Sequence, residues 1–253
     1  MQHDSFEHFF DEGLVERYLL PLKHGKEASV HLFRANPRTT DEDLVALKLY
    51  HPLDRRDFRD ETLYRDGEFI KERRIRAALA KKTAFGREVQ GGLWVSREWE
   101  TLQTLSAAGV PVPRPIEWTG DAILMSYIGD EQTPAPRLQD HAKADPEELE
   151  ELWQRCHRAI QHMLYRDVVH GDLSAYNVLV WEDDITVIDF PQAVDPKKNR
   201  HAQAFLERDL RRLGEFFGKH GVHHPWERIA TDMWTGWLFA DLVPEDLRGE
   251  LTM

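Results

Sequence analysis

The chain has 253 residues, 41% hydrophobic and 31% charged, which suits one large domain or two small lobes with a sizeable core. Its formal charge of −12 excludes a general nucleic-acid coat protein, though not a local basic site. A single cysteine, Cys156, excludes an internal disulfide; no run reaches the length of a membrane span and the acidic N-terminus lacks a signal-peptide core, so a cytoplasmic setting is expected.

Residues 1–20, rich in Phe and Leu, predict a short helix ending before Pro21. The alternation of Val30 and Leu32 then predicts a strand preceded by a turn at Gly25, and residues 44–50 (LVALKLY) a second strand. Two antiparallel strands with such a turn can lay backbone N–H groups over phosphates. Lys48 stands inside the apolar second strand, where a lysine either snorkels to solvent, its ordinary fate, or reaches a buried anion.

Residues from about 55 to 92 are highly charged and read as a mobile, partly helical insertion. Within it Lys71, Arg73, Arg74, Arg76, Lys81, Lys82 and Arg87 stand against Glu72 alone. Such an island suits phosphates or RNA, and equally a solvated helix face. Residues 94–107 predict an amphipathic helix with Trp94, Trp99, Leu102 and Leu105 inward and Gly109 just past its end. Glu98 on this helix is the natural partner if Lys48 needs one, although a helix glutamate ordinarily only solubilises.

The connector 110–115 (VPVPRP) cannot be helical. Residues 116–118 and 122–127 read as two more strands around a Thr119-Gly120-Asp121 turn. The polar link 128–136 is the expected hinge between a β-rich N-terminal lobe and a helical C-terminal lobe, and the strand edge at Met125, Ser126, Tyr127 and Ile128 suits an adenine edge. Asp145-Pro146-Glu147-Glu148 opens a helix, with Asp as cap and Pro at the first position. Its stripe of Leu149, Leu152, Trp153, Cys156, Ile160, Met163 and Leu164 is assigned to core. Residues 201–217 predict a further helix with Ala204, Phe205, Leu206, Leu210, Leu213 and Phe216 inward, and the tail from Pro225, with three of the eight tryptophans, closes the chain with one or two helices.

The densest chemistry lies in residues 168–194. Two apolar runs, 178–181 and 185–188, flank Glu182, Asp183 and Asp184 and predict a hairpin. His170, Asp172 and Asn177 stand before it and Asp189 after it, so a hairpin would bring its two ends together. An aspartate and an asparagine form a hard-oxygen set suited to Mg²⁺ shared with phosphate oxygens. The other aspartate could accept a proton from an attacking hydroxyl. Any single Asp in such a loop is ordinarily a turn former or cap. The whole set has the order of the kinase signature H-x-D-x-x-x-x-N followed by D-F-G, here with Pro191 for Gly.

With GKEASVHLF at 25–33, VALKLY at 45–50, WVSREWETL at 94–102, HGDLSAYNVLV at 170–180 and VIDFPQAVD at 187–195, the sequence resembles the RIO family of atypical protein kinases over nearly its whole length. No winged helix stands ahead of the phosphate loop, which places the resemblance nearer the first RIO subfamily. The resemblance implies an α+β, two-lobed protein-kinase-like fold without an activation loop, its N-lobe at 1–129 and C-lobe at 130–253. It implies ATP with Mg²⁺, for which Mn²⁺ can substitute, and phosphoryl transfer to Ser or Thr of proteins, itself included, or ATP hydrolysis. By position, Gly25, Lys26, Glu27, Ala28, Ser29 and Val30 would form the phosphate loop, with Ser29 near the phosphates. Lys48 would bind the α/β phosphates and pair with Glu98, Met125 to Ile128 would contact adenine, Asp172 would be the base, and Asn177 and Asp189 the metal ligands. Asp189 could also accept phosphate in an ATPase-like cycle.

Two departures from ordinary kinases stand out. Ser174 occupies the place two residues after the base where those enzymes carry Lys or Arg, and Pro191 disfavours a flip of the metal-binding motif. Two other functions fit parts of the pattern: a small-molecule kinase of the aminoglycoside phosphotransferase type, and an ATP-switched scaffold contacting RNA or ribosome precursors through residues 71–87. No membrane partner is expected.

Overall fold

The computed structural model describes residues 2–51, 84–141 and 145–239. Its first layer is a five-stranded antiparallel sheet: β1 (Val15–His24), β2 (Ala28–Ala35), β3 (Leu44–Tyr50), β4 (Pro115–Trp118) and β5 (Ala122–Ser126), in the order β1-β2-β3-β5-β4. The central strand β3 is covered on both faces, which is why it reads as a continuous apolar run rather than an alternation. Lys48 pairs with Val30 of β2 on one side and Ile123 of β5 on the other.

Helix α1 (Gln2–Asp11) closes one face of the sheet, with Phe9 packed among Phe33, Val45, Leu47 and Leu124. Helix α2 (Ala84–Ala107) closes the other through Val95, Leu102 and Leu105. That second cluster runs on without a break into the C-terminal half.

Two N-terminal expectations are corrected. The first helix stops at Asp11, and β1 begins at Val15 and carries Pro21 in its middle. A proline is tolerated there because β1 is an edge strand, with three register shifts along its pairing with β2. Helix α2 begins at Ala84 rather than 94 and runs through Gly86, Gly91 and Gly92. Each glycine disfavours helix by about 1 kcal/mol; the packed half from Trp94 to Leu105 anchors the helix and carries it through them. The rest of the charged insertion, including the basic positions 71–82, lies outside the described residues.

The C-terminal half holds a short 3₁₀ turn (Leu138–His141), α3 (Pro146–Tyr165), the hairpin β6 (Val178–Trp181) and β7 (Asp184–Val187), α4 (Ala202–Lys219) and α5 (Trp226–Phe239). Asp145 caps α3 by accepting from the N–H groups of Glu147 and Glu148, each at 3.0 Å. Its apolar stripe is buried as expected, and burial pushes the Cys156 thiol up to about 12, which makes it an inert packing residue. Ala204 on α4 is exposed rather than inward, while Asp209 is buried among the apolar positions. Among the described residues no helix is long and apolar enough to cross a membrane.

The hairpin is one residue tighter than expected. Glu182 and Asp183 form a two-residue loop with φ of 49° and 63°, the left-handed pair of a type I′ turn. Asp184 therefore pairs with Trp181, and Ile188 leaves the ladder to carry Asp189 away from β7.

The link between the halves turns tightly at Gly129, whose φ is 134°. A Cβ there would meet Thr133 O at 2.6 Å and Ala135 N at 2.9 Å, both backbone atoms. Gly129→Ala is expected to lower stability by about 2 kcal/mol, measured by urea denaturation. An unchanged midpoint would show that the link relaxes without cost.

Candidate active site

Three elements meet at Lys48. Its Nζ donates to Glu98 Oε1 at 2.8 Å and Oε2 at 2.9 Å, and to Asp189 Oδ1 at 2.7 Å. Glu98 comes from the middle of α2, and its Oε1 also accepts the N–H of Phe190 at 3.1 Å. Burial opposes the charge on Lys48, but Asp189 and Glu98 outweigh it and hold the ammonium above its ordinary range. Burial also dominates at Glu98 and raises its carboxyl. At Asp189 burial opposes the charge, yet the Lys48 ammonium prevails and holds the carboxyl below the usual range. Asp189 sits at φ 76°, a left-handed conformation that aspartate tolerates better than most residues.

The second half of the site is the loop before β6. His170 is buried; its Nδ1 accepts from the Asp172 N–H at 3.3 Å, so its Nε2–H is the donor to Ile188 O at 3.1 Å. Burial lowers its pKa and favours that neutral ring. Asn177 donates through Nδ2 to Asp172 O at 3.0 Å, and its backbone carbonyl accepts from Ile188 N–H at 3.0 Å. The hairpin and these bonds tie the loop of Asp172 to the strand that delivers Asp189.

Asp172 and Asp189 line a cleft of about 560 Å³ together with Lys48, Glu98, Gly25, Lys26, Glu27, Ala28, Val30 and Met125, Ser126, Tyr127 and Ile128. They also line an adjoining cavity of about 550 Å³ with Asn177. A buried lysine between two carboxylates, beside a second aspartate and a hydrogen-bonded asparagine, is an arrangement that holds phosphates and a hard cation.

Comparison with known proteins agrees. The RIO domain family model matches residues 31–229, most of the chain. The chain belongs to the RIO family. It is 36% identical to the RIO-type serine/threonine-protein kinase Rio1 of Thermoplasma acidophilum, over 54% of this chain and 70% of that protein. It is 32% identical to the serine/threonine-protein kinase RIO1 of Chaetomium thermophilum, over 84% of this chain but only 41% of that protein. A Rio2 kinase–ADP/Mg²⁺–phosphoaspartate complex from Chaetomium thermophilum has the same fold, with a TM-score of 0.62 at 17% identity over 99% of this chain and 73% of that one.

Within this RIO site one expected placement is corrected. Ser29 does not face the cleft: its side chain is fully buried and hydrogen-bonded to His31 Nε2 at 2.9 Å. Side chains alternate along β2, so Ala28 and Val30 line the cleft while Ser29 and His31 point to the opposite face.

Three residues of α4 that the sequence reading passed over complete the RIO loop. Asp209 accepts from the N–H groups of Gly171 at 2.8 Å and Leu173 at 3.0 Å, on either side of Asp172. Arg212 Nη1 lies 2.6 Å from Asp172 Oδ1, and Arg208 donates to Gly171 O. The signal was present: an aspartate between Leu206, Leu210 and Leu213 at helical spacing has no reason to be buried unless it meets donors there.

Burial pushes the Asp209 carboxyl up to about 7, against the two backbone N–H bonds that favour its ionised form. A raised carboxyl pKa means the folded chain keeps a proton that the unfolded chain releases. This group's contribution to stability therefore falls as pH rises from about 4 to about 7, by on the order of 4 kcal/mol at most. Urea melts across that window should show the fall, and Asp209→Asn should remove it. Glu98→Ala is expected to destabilise the fold by about 3 kcal/mol, because it strips a buried ammonium of one of its two partners; a melt with an unchanged midpoint would contradict this.

Proposed function

We propose that this RIO-family chain carries out ATP- and Mg²⁺-dependent phosphoryl transfer to a Ser or Thr hydroxyl of a protein, including itself, and hydrolyses ATP when water is the acceptor. The observation that carries the reading is Lys48 held at 2.7–2.9 Å between Glu98 and Asp189 in the cleft that Asp172 also lines. The names of the Thermoplasma and Chaetomium relatives support a protein acceptor. They favour it over the small-molecule kinase reading.

The donor set fits Mg²⁺. Asn177 commits its nitrogen, not its oxygen, to Asp172, and Asp189 brings a carboxylate to the same cavity. Among the described residues no three His, Cys, Asp or Glu side chains are grouped to hold a metal unaided. Phosphate oxygens and water would complete the shell, as Mg²⁺ prefers. When bound, the ion would offset negative charge on the nucleotide's phosphates. Lys48 would meet the α/β phosphates, with Glu98 fixing its direction. The turn from Gly25 to Val30 would supply backbone donors, and Met125 to Ile128 would take the adenine edge. Asp172 would orient the acceptor hydroxyl and receive its proton. Phe190 is fully buried with its N–H on Glu98, which holds the Asp189 motif in one position.

The tight turn at Gly129 supports a division into lobes at 129/130. The single, buried cysteine supports a cytoplasmic setting. RNA or ribosome-precursor contact through the basic positions 71–87 rests on composition alone and would appear as salt-dependent RNA binding lost on neutralising Arg73, Arg74 and Arg76. The Rio2 phosphoaspartate complex supports a second route in which Asp189 itself takes the phosphoryl group; mass spectrometry after incubation with ATP would find that adduct.

Asp172→Asn is expected to lower turnover of labelled ATP by about 10³-fold while calorimetry still records nucleotide binding. Asp189→Ala is expected to abolish Mg²⁺-dependent hydrolysis. Turnover at the wild-type rate in either variant would remove that residue from its role.

A further inference from the structure

The loop from His170 to Asn177 (HGDLSAYN) contains no lysine or arginine. Phosphoryl transfer spreads negative charge over the moving group's oxygens, and a cation beside them lowers the barrier. The Lys48 ammonium already lies between Glu98 and Asp189. Arg212 is placed differently. Its Nη1 is 2.6 Å from Asp172 Oδ1, and it lines the second cavity, which adjoins the nucleotide cleft through the two aspartates they share.

Helix α4 builds this placement. Arg208, Asp209 and Arg212 fall on one helical face, and all three meet the loop: the first two hold the backbone around Asp172, the third its carboxylate. Stability gives little reason for the ion pair. The two side chains are 37% and 41% accessible, and pairs so open to solvent add little to stability. A guanidinium, with five donors in a planar fork, can serve a carboxylate and a phosphoryl oxygen together. The other charges on this cavity are Glu215 and Lys219 from the same helix; Glu215 lies 4.0 Å from Arg211.

We propose that Arg212 is a catalytic residue that binds the transferring phosphoryl group and supplies the positive charge missing from the loop. The proposal rests on the phosphotransfer reading above. In the step, the acceptor oxygen bonds to the γ-phosphorus while the bond to the β–γ bridging oxygen breaks. ADP leaves with that electron pair, and the acceptor's proton passes to Asp172. Arg212 stays charged and moves no proton.

The test compares the full chain with Arg212→Ala, Arg212→Lys and, as a surface control, Arg211→Ala. For Arg212→Ala, kcat is expected to fall about a hundredfold with the KM for ATP little changed. Affinity for Mg²⁺, ADP and aluminium fluoride together, a mimic of the group in flight, should fall by a similar factor while affinity for Mg²⁺ and ADP alone stays put. Arg212→Lys should recover part of both, and Arg211→Ala should match wild type. The proposal is overturned if Arg212→Ala keeps wild-type kcat and mimic affinity, or loses ADP affinity to the same extent, which marks a structural role. It also falls if Arg212→Ala fails to fold and Arg212→Lys, folded, behaves as wild type. A wild-type chain that binds no ATP and turns none over would sink the phosphotransfer reading itself.

Discussion

One buried ammonium holds the two halves of this molecule in register. Lys48 reaches Glu98 from β3 across to α2 and Asp189 from β3 down to the strand end after β7. Removing such charges from water costs several kcal/mol each unless partners and hydrogen bonds compensate. Compensation here requires the sheet, α2 and the hairpin to be assembled together, because none of the three groups has the others near it in sequence. The Phe190 N–H on Glu98 adds a fourth point to the same junction. Two carboxylates against one lysine leave an excess of negative charge, partly open at Asp189, which is 37% accessible. A divalent cation is the natural complement to that excess.

The loop of Asp172 is held by a different logic. Its backbone is fixed from below by Asp209 and from the side by His170 and Asn177, while its side chain meets Arg212. Position thus comes from buried bonds to the backbone, and charge balance from a partly exposed pair that a ligand can remodel. The type I′ turn at Glu182 and Asp183 completes the scheme by returning β7 alongside β6, so that Ile188 bonds to both Asn177 and His170. The loop of Asp172 and the segment carrying Asp189 share these bonds, which tie their positions together.

Much of this was legible from residue order. The strand around Lys48, the capped helix from Asp145, the hairpin and the cluster of Asp172, Asn177 and Asp189 all follow from local periodicity and turn chemistry, which act over a few residues. Element ends were less legible. Helix α2 begins before Trp94 because packing further along carries it through three glycines, and Pro21 stands in a strand because that strand is an edge. Both reasons lie in neighbours that are distant in sequence.

The sequence by itself determined which groups could do chemistry and in what order they arrive, since loop and hairpin signals are written in consecutive side chains. Only the tertiary structure decided which of them meet. It brought Asp189 to Lys48 beside the expected Glu98, turned Ser29 away from the cleft, and brought Asp209 and Arg212 to the loop from a helix more than thirty residues on. Convergence of that kind depends on how elements stack, and stacking is set by the whole buried surface rather than by any short run of residues.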